Sequence, residues 1–368
     1  MPHRGDDRFD VDNIHLIDST LREGAQHGAA SFSDDDRMSI ARALDSFGLD
    51  YIELGNPLSS PVAQRSFTRI ASLGLKAKCI AHIRCRAEDA SSALAAGARC
   101  VNVFLGVSPQ MKAYSHGMDM RGIMRAVEDV LSLIYIRAPQ TEICFSAEDA
   151  FRANRDELFS VMDMVARMGV TNRLGLADTV GTAEPFGVYA LVRDVIARTA
   201  MEVKFHGHND TGCAVANSYA AMRAGARHID VSIFGIGERN GIASLAGVMA
   251  RMMADDPLGM AKKYRLTELG PLHEMVARML GISVPEDHPI VGGRAFTHKA
   301  GVHVNAVLNN PVSYEPFSPD MFGLKRDLIY ISDMSGWRAV RQHARRMGVE
   351  MTDEQAMLAA SRMRASQT

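Results

Sequence analysis

The chain has 368 residues, with 41 Lys plus Arg against 43 Asp plus Glu. So balanced a charge excludes the global basic field that draws a protein to nucleic acid or an anionic membrane, and leaves small anionic ligands met by local charge. The length admits one large domain with an appendage, since α/β barrels take about 250 residues.

Residues 1–13 read as a polar, acidic extension. Short β-rich runs then recur at Ile14–Thr20, Tyr51–Asn56, Ala77–Ile83, Cys100–Gly106, Glu142–Ser146, Arg173–Thr179, Glu202–His208 and Ile229–Gly235. Between them lie amphipathic stretches such as Asp34–Phe47, Glu88–Ala96, Arg121–Ile134, Arg155–Met168, Pro185–Thr199 and Ala214–Ala224, long enough to cross over a parallel sheet. Glycines at 48, 74, 97, 169 and 225 are placed to close several of these helices. Eight βα units in order predict a (β/α)8 TIM barrel over residues 14–280. Beyond residue 280 the alternation stops. A Gly/Pro/Asn-punctuated stretch, Ile290 to Pro319, leads to helical patterns at Gly336–Met347 and Asp353–Arg364, so 281–368 reads as a mostly helical C-terminal region.

Cys79, Cys85, Cys100, Cys144 and Cys213 form no CxxC pair, which points to a reducing compartment, and no apolar run reaches membrane-spanning length. A cytoplasmic protein is expected. The 23 Met residues read as filling of an irregular core.

The polar residues then fall at one end of the predicted strands, where barrels of this kind gather their active sites. Arg22 and Glu23 follow the first strand, Glu53 and Asn56 end the second, and His82 and Arg84 end the third. Ser146 and Glu148 end the fifth, Asp178 and Thr179 the sixth, His206 and His208 the seventh, while Glu238, Arg239 and Asn240 follow the eighth. His206 and His208, at i and i+2 on a strand, project to one side and are able to hold one metal ion, with a carboxylate near Arg22 as a third ligand. Mixed nitrogen and oxygen ligands suit Mg, Mn or Zn with open positions for substrate. The alternative for a single His-x-His is a surface pair or a hydrogen-bonded core pair. Likewise Glu53, Asp178 and Glu238 are each able to cap a following helix, Arg84 to pair with a nearby carboxylate, and Asp210 is expected to cap.

In order along the chain, STLREG, HIRC, SAED, ADTVG, HGHNDTG, GIGERNGI and FTHKAGVH resemble the homocitrate synthase family. That family belongs to the metal-dependent Claisen-condensing barrels that also include isopropylmalate synthases and hydroxymethylglutaryl-CoA lyases. The resemblance implies a divalent metal held by Glu23, His206 and His208, with Asn240 as a further candidate, and acetyl-CoA as co-substrate of a 2-oxo acid. It implies Arg22 beside the reacting carbonyl, Gln26, His82, Ser146 and Thr179 around the oxo acid, and Glu148, His303 and Tyr314 for acid–base work. His303 and Tyr314 would come from the C-terminal lid of a second subunit, so a homodimer is expected.

Several positions depart from the family pattern. The motif reads Gly24-Ala25-Gln26 where a carboxylate is usual at 25, and Arg86 replaces a histidine. An arginine that meets the distal carboxylate of 2-oxoglutarate is here Cys144, a small neutral thiol. The acids that grip the amine of inhibitory lysine are here Asn102 and Lys204, so feedback by lysine is not expected. These changes favour a short 2-oxo acid with a strongly anionic end, 3-phosphonopyruvate (a 2-phosphonomethylmalate synthase of phosphonate antibiotic pathways) or oxaloacetate. The alternatives are a true homocitrate synthase using 2-oxoglutarate, a lyase-type cleavage, and a non-catalytic paralogue.

Overall fold

The computed structural model describes residues 10–328 and 336–365. The first nine residues of the expected N-terminal extension lie outside that range. Eight strands run β1 (His15–Asp18), β2 (Tyr51–Gly55), β3 (Lys78–Arg84), β4 (Cys100–Gly106), β5 (Glu142–Glu148), β6 (Arg173–Asp178), β7 (Glu202–Gly207) and β8 (His228–Val231). All neighbours pair in parallel, and β8 closes on β1 through the register His15 with His228 to Asp18 with Val231. The expected TIM barrel is therefore the fold.

Crossing helices follow the strands: α1 (Asp34–Phe47), α2 (Pro61–Ala71), α3 (Ala87–Ala95), α4 (Met120–Arg137), α5 (Arg155–Met168), α6 (Pro185–Thr199), α7 (Ala214–Ala224) and α8 (Leu245–Asp255). Their starts are chemically marked. Ser33 closes a capping box with Asp36 before α1, and Asn154 accepts two backbone N–H groups before α5. Gly48, Gly169 and Gly225 close α1, α5 and α7 in the left-handed conformation, as their positions predict. Apolar stripes such as Ile40 and Leu44 on α1 or Val161 and Val165 on α5 are fully buried, each worth about 1.5–3 kcal/mol relative to exposure.

Two strands end at least two residues short of the sequence expectation. β1 stops at Asp18 because its Oδ1 accepts the Thr20 N–H at 2.8 Å, curling the chain out of the ladder. β8 stops at Val231 because Ser232 Oγ donates to the Ile236 carbonyl and Phe234 turns to φ 60°, making a short 3-10 turn instead of strand.

The chain divides into two compact units, one running to Arg265 and including Pro271–Ser283, the other formed by Leu266–Gly270 and residues from Val284 onward. In the second unit, Thr297–His298 pairs in parallel with Asp327–Leu328, and helices span Gly301–Asn309, Trp337–Arg346 and Asp353–Ala365. Its buried Glu315 is held by Arg326 and His298, and Val304 packs on Ala339 with Leu308 and Leu328. Among the described residues no helix is long and apolar enough to cross a membrane.

Candidate active site and metal centre

Strand alternation decides what reaches the barrel axis. Along β7 it turns Lys204 and His206 inward, and His208 follows just beyond the strand. Near the floor, Ile17, Tyr51, Ile80 and Cys100 form an apolar cluster. Above it lies a charged layer: Glu53 from β2, Lys204 from β7 and Asp230 from β8, none more than 2% exposed. A cavity of about 300 Å³ opens above that layer, lined by Arg22, Glu23, Gln26, His82, Asn102, Ser146, Glu148, Thr179, Lys204, His206 and His208, with Phe104, Ala177, Asp230, Glu238 and Arg239.

Buried charges persist only when paired, and here each is. Arg22 Nε donates to Glu53 Oε2 at 2.7 Å while its Nη1 meets Glu23, and Ser19 Oγ donates to the same Glu53 oxygen. Lys204 Nζ lies 2.8 Å from Asp230 Oδ2 and 3.7 Å from Glu53 Oε1. Burial resists ionisation of Glu53, but Arg22, His82 and Lys204 outweigh it and hold the carboxyl well below its usual range. For Lys204 burial opposes the charge, and Asp230 and Glu53 reverse the balance and push the ammonium upward.

Glu23, His206 and His208 offer ligand atoms within 4.8 Å of one another. His206 Nδ1 contacts Asp230 Oδ2 at 2.9 Å, an arrangement that orients the ring and leaves Nε2 for a metal. Glu23 Oε1 accepts the Glu238 N–H at 2.9 Å, and Arg22 and both histidines overcome burial to keep the carboxyl ionised below its usual range. Burial first, then the neighbouring His206, lowers His208 to about 4, so it is neutral and ready to ligate at pH 7; its buried Nδ1 has no hydrogen-bond partner among the described residues. Two imidazoles and one carboxylate gathered on one side of the cavity fit a divalent cation. Asn240 is exposed on the turn after β8.

A chain of contacts runs across the far side of the cavity. Ser146 Oγ donates to Asn102 Oδ1 at 2.7 Å, Asn102 Nδ2 lies 2.8 Å from His82 Nδ1, and that nitrogen lies 2.9 Å from Glu53 Oε1. Burial, then the cation of Arg22, lowers His82 to about 4. His82 also stacks on Phe104, with ring centroids 4.6 Å apart. Cys144 does not line the cavity: it is buried beneath Ser146, Sγ to Oγ 3.8 Å, and burial raises its thiol. Arg86 is exposed at the start of α3. Glu148 faces the cavity, and burial, then the like charge of Asp149, raises its carboxyl. Thr179 Oγ1 accepts the Asp149 N–H at 2.8 Å, leaving its own proton free to donate.

His303 and Tyr314 belong to the second unit, where their rings stack at 4.0 Å. Of the capping alternatives, Asp178 accepts the N–H groups of Thr182 and Ala183, and Arg84 pairs with Asp89 through two nitrogens. Glu53 instead anchors Arg22. Asp210 also departs from expectation: it pairs with Arg239, and Asn209 accepts the Ala214 N–H at the start of α7. Sequence reasoning missed Asp230, which holds both His206 and Lys204. The available signal was a lone acid inside the apolar run Ile229-Asp230-Val231, since such a charge has to find a partner.

The chain matches two family models, HMGL-like over residues 13–276 and homocitrate synthase post-HMGL domain-like over 290–368. It is 43% identical to the cytosolic homocitrate synthase isozyme of Saccharomyces cerevisiae over 95% of this chain and 81% of that protein. The chain belongs to the homocitrate synthase-like branch of the isopropylmalate and homocitrate synthase family. A mitochondrial homocitrate synthase of Yarrowia lipolytica is 44% identical, covering 94% of this chain and 77% of that one. A Bacillus subtilis HMG-CoA lyase structure matches with a TM-score of 0.65 at 18% identity, over 74% of this chain and 95% of that chain, a likeness of fold.

Proposed function

We propose that this homocitrate synthase-like enzyme, an acetyl-CoA-dependent acyltransferase, condenses acetyl-CoA with a short, strongly anionic 2-oxo acid. The observation that carries the reading is one cavity in which Glu23, His206 and His208 stand beside Arg22 and Glu148. Glu23, His206 and His208 would hold a Mg, Mn or Zn ion, which when bound would supply Lewis acidity to the ketone. Arg22 spends Nε on Glu53 and one Nη1 proton on Glu23, so three N–H groups remain to meet the oxyanion that forms there. Thr179 donates its free proton to the oxo acid, and Gln26 and Ser146 complete its seat. Glu148 takes a proton from the thioester methyl group, the resulting carbon attacks the ketone, and water then cleaves the thioester to release CoA thiol. His303 and Tyr314 of a second copy's lid complete the acid–base set, making the active enzyme a homodimer.

The substrate assignment rests on Lys204 and Cys144. Lys204 brings an ammonium to the cavity, and a lysine is a competent phosphate binder, whereas Cys144 and the exposed Arg86 supply no cation there. Lys204 is shared with Asp230 and Glu53, and Arg22 adds a second cation to the same cavity. This ranks 3-phosphonopyruvate, as in phosphonate antibiotic biosynthesis, and oxaloacetate above 2-oxoglutarate. A second reading, a homocitrate synthase using 2-oxoglutarate, is favoured by the 43% identity to such enzymes. Release of free CoA thiol across the three acids in wild type, Cys144→Arg and Lys204→Glu separates them. Cys144→Arg should gain about ten- to a hundredfold toward 2-oxoglutarate. Wild-type preference for 2-oxoglutarate that survives Lys204→Glu selects the second reading.

A further inference from the structure

Glu148 ends β5, and the next residue, Asp149, turns the chain at φ 57°, ψ 39°. Non-glycine residues rarely hold this left-handed conformation, and Asp and Asn hold it more readily than others. Asp149 is 1% exposed and its polar groups are engaged. Its N–H donates to Thr179 Oγ1 at 2.8 Å, and its carboxylate accepts from Ser108 Oγ, from Arg152 Nε at 2.8 Å and from Arg152 Nη2 at 2.7 Å. These anchors come from the turn after β4, the turn after β5 and the end of β6. They over-determine one strained residue, and such strain persists where surrounding structure enforces it.

The alternation that turns Ser146 inward also turns Glu148 inward, and the left-handed step at Asp149 takes the backbone off over the rim directly afterwards. Gly106 on β4 leaves the space above: a Cβ there would lie 2.4 Å from the Met111 Cβ and 3.4 Å from Glu148 Oε2. The Glu148 carboxyl group takes part in no hydrogen bond or ion pair among the described residues, so its direction is set by the backbone that carries it. A second non-glycine residue on the same rim, Arg239 at φ 55°, is tied to the same Thr179 through Nη2 and the Thr179 carbonyl at 2.9 Å.

We propose that Asp149 is the positioning residue for Glu148, its left-handed backbone and buried, arginine-paired carboxylate together fixing where the Glu148 carboxyl group points in the cavity. The inference rests on the acid–base reading of Glu148. The test compares metal-loaded Asp149→Asn, Asp149→Gly, Asp149→Ala, Arg152→Met and Glu148→Gln, measuring kcat, KM for the best oxo acid and bound metal. Asp149→Ala should lower kcat about ten- to a hundredfold, the scale of a small misplacement of a reacting group, with KM and metal content unchanged. Asp149→Asn and Asp149→Gly, which tolerate the left-handed backbone, should recover part of that loss. Wild-type kcat in Glu148→Gln overturns the acid–base reading itself. An inactive Glu148→Gln beside an Asp149→Ala that keeps kcat, or loses KM or metal instead, overturns the positioning role alone. If Asp149→Ala does not fold, Asp149→Asn and Arg152→Met decide: a lowered kcat at unchanged KM supports the role, and wild-type kcat in both removes it.

Discussion

Asp230 is the residue on which the metal centre turns. Its Oδ2 meets both Lys204 at 2.8 Å and His206 at 2.9 Å, so it orients a ligand and neutralises a buried ammonium at once. Asp230→Asn should weaken metal binding about 10- to 100-fold, as loss of such an orienting partner does. Titration calorimetry with Mn on the stripped protein measures it, and an unchanged affinity would show that the His206 ring is held by other means. His206→Ala should abolish both bound metal and turnover while leaving the fold intact, because an open catalytic site adds little to the core.

Asp18 gives a pH signature of its own. Burial raises its carboxyl to about 7, its Oδ1 accepts the Thr20 N–H, and its buried Oδ2 has no partner among the described residues. The folded chain therefore keeps a proton that the unfolded chain, titrating near 4, has lost. The sign follows from linkage: this stabilisation is present at low pH and is lost as pH rises through about 7. Asp18→Asn mimics the protonated form, so its Tm relative to wild type should climb between about pH 4 and pH 7 and then level off. A difference that is flat across that window refutes the assignment.

At the scale of elements, the site depends on how closely β5 and β6 approach. Gly175 on β6 pairs with Ser146 on β5, and a Cβ at 175 would lie 2.0 Å from the Ser146 Oγ. Only hydrogen fits there. Gly175→Ala should push Ser146 off Asn102, costing about 1–3 kcal/mol of stability from overpacking. It should also raise KM for the oxo acid with little change in metal content. Wild-type KM together with wild-type Tm would mean that the two strands separate more freely than their register implies.

At the scale of the molecule, the proposed chemistry spans two compact units and two copies of the chain. The barrel unit carries the metal ligands, while His303 and Tyr314 sit in the second unit. If the lid acts in trans, mixing inactive His206→Ala with inactive His303→Ala should restore activity. Random pairing in a two-fold dimer leaves one intact site in half of the molecules, so recovery should approach about a quarter of wild type. No recovery after confirmed subunit exchange would place the lid residues on their own barrel.

The eight-stranded barrel was legible in the sequence because hydrophobic alternation and helix periodicity are local properties. The same is true of the strand-end polar residues: period-two spacing puts His206 and His208 on one side of their strand without knowledge of their neighbours, whereas the direction of Lys204 was not legible there. The family motifs then named Glu23, His206 and His208, and the barrel brings all three within reach of one ion. What no local pattern contains is which inward residues meet. Glu53, Lys204 and Asp230 lie on β2, β7 and β8, far apart in the chain, and only barrel closure stacks them into one charged layer. Register likewise decided that Cys144 lies buried under Ser146 and that Asp210 pairs with Arg239 instead of capping a helix. The left-handed turn at Asp149 is also tertiary, because bonds from Ser108, Arg152 and Thr179 hold a backbone that an isolated Glu-Asp-Ala segment would not keep. Sequence determined which polar residues gather at one end of the strands, and closure of the barrel determined their partners, since the pairing energy of a buried charge depends on groups that chain proximity does not supply.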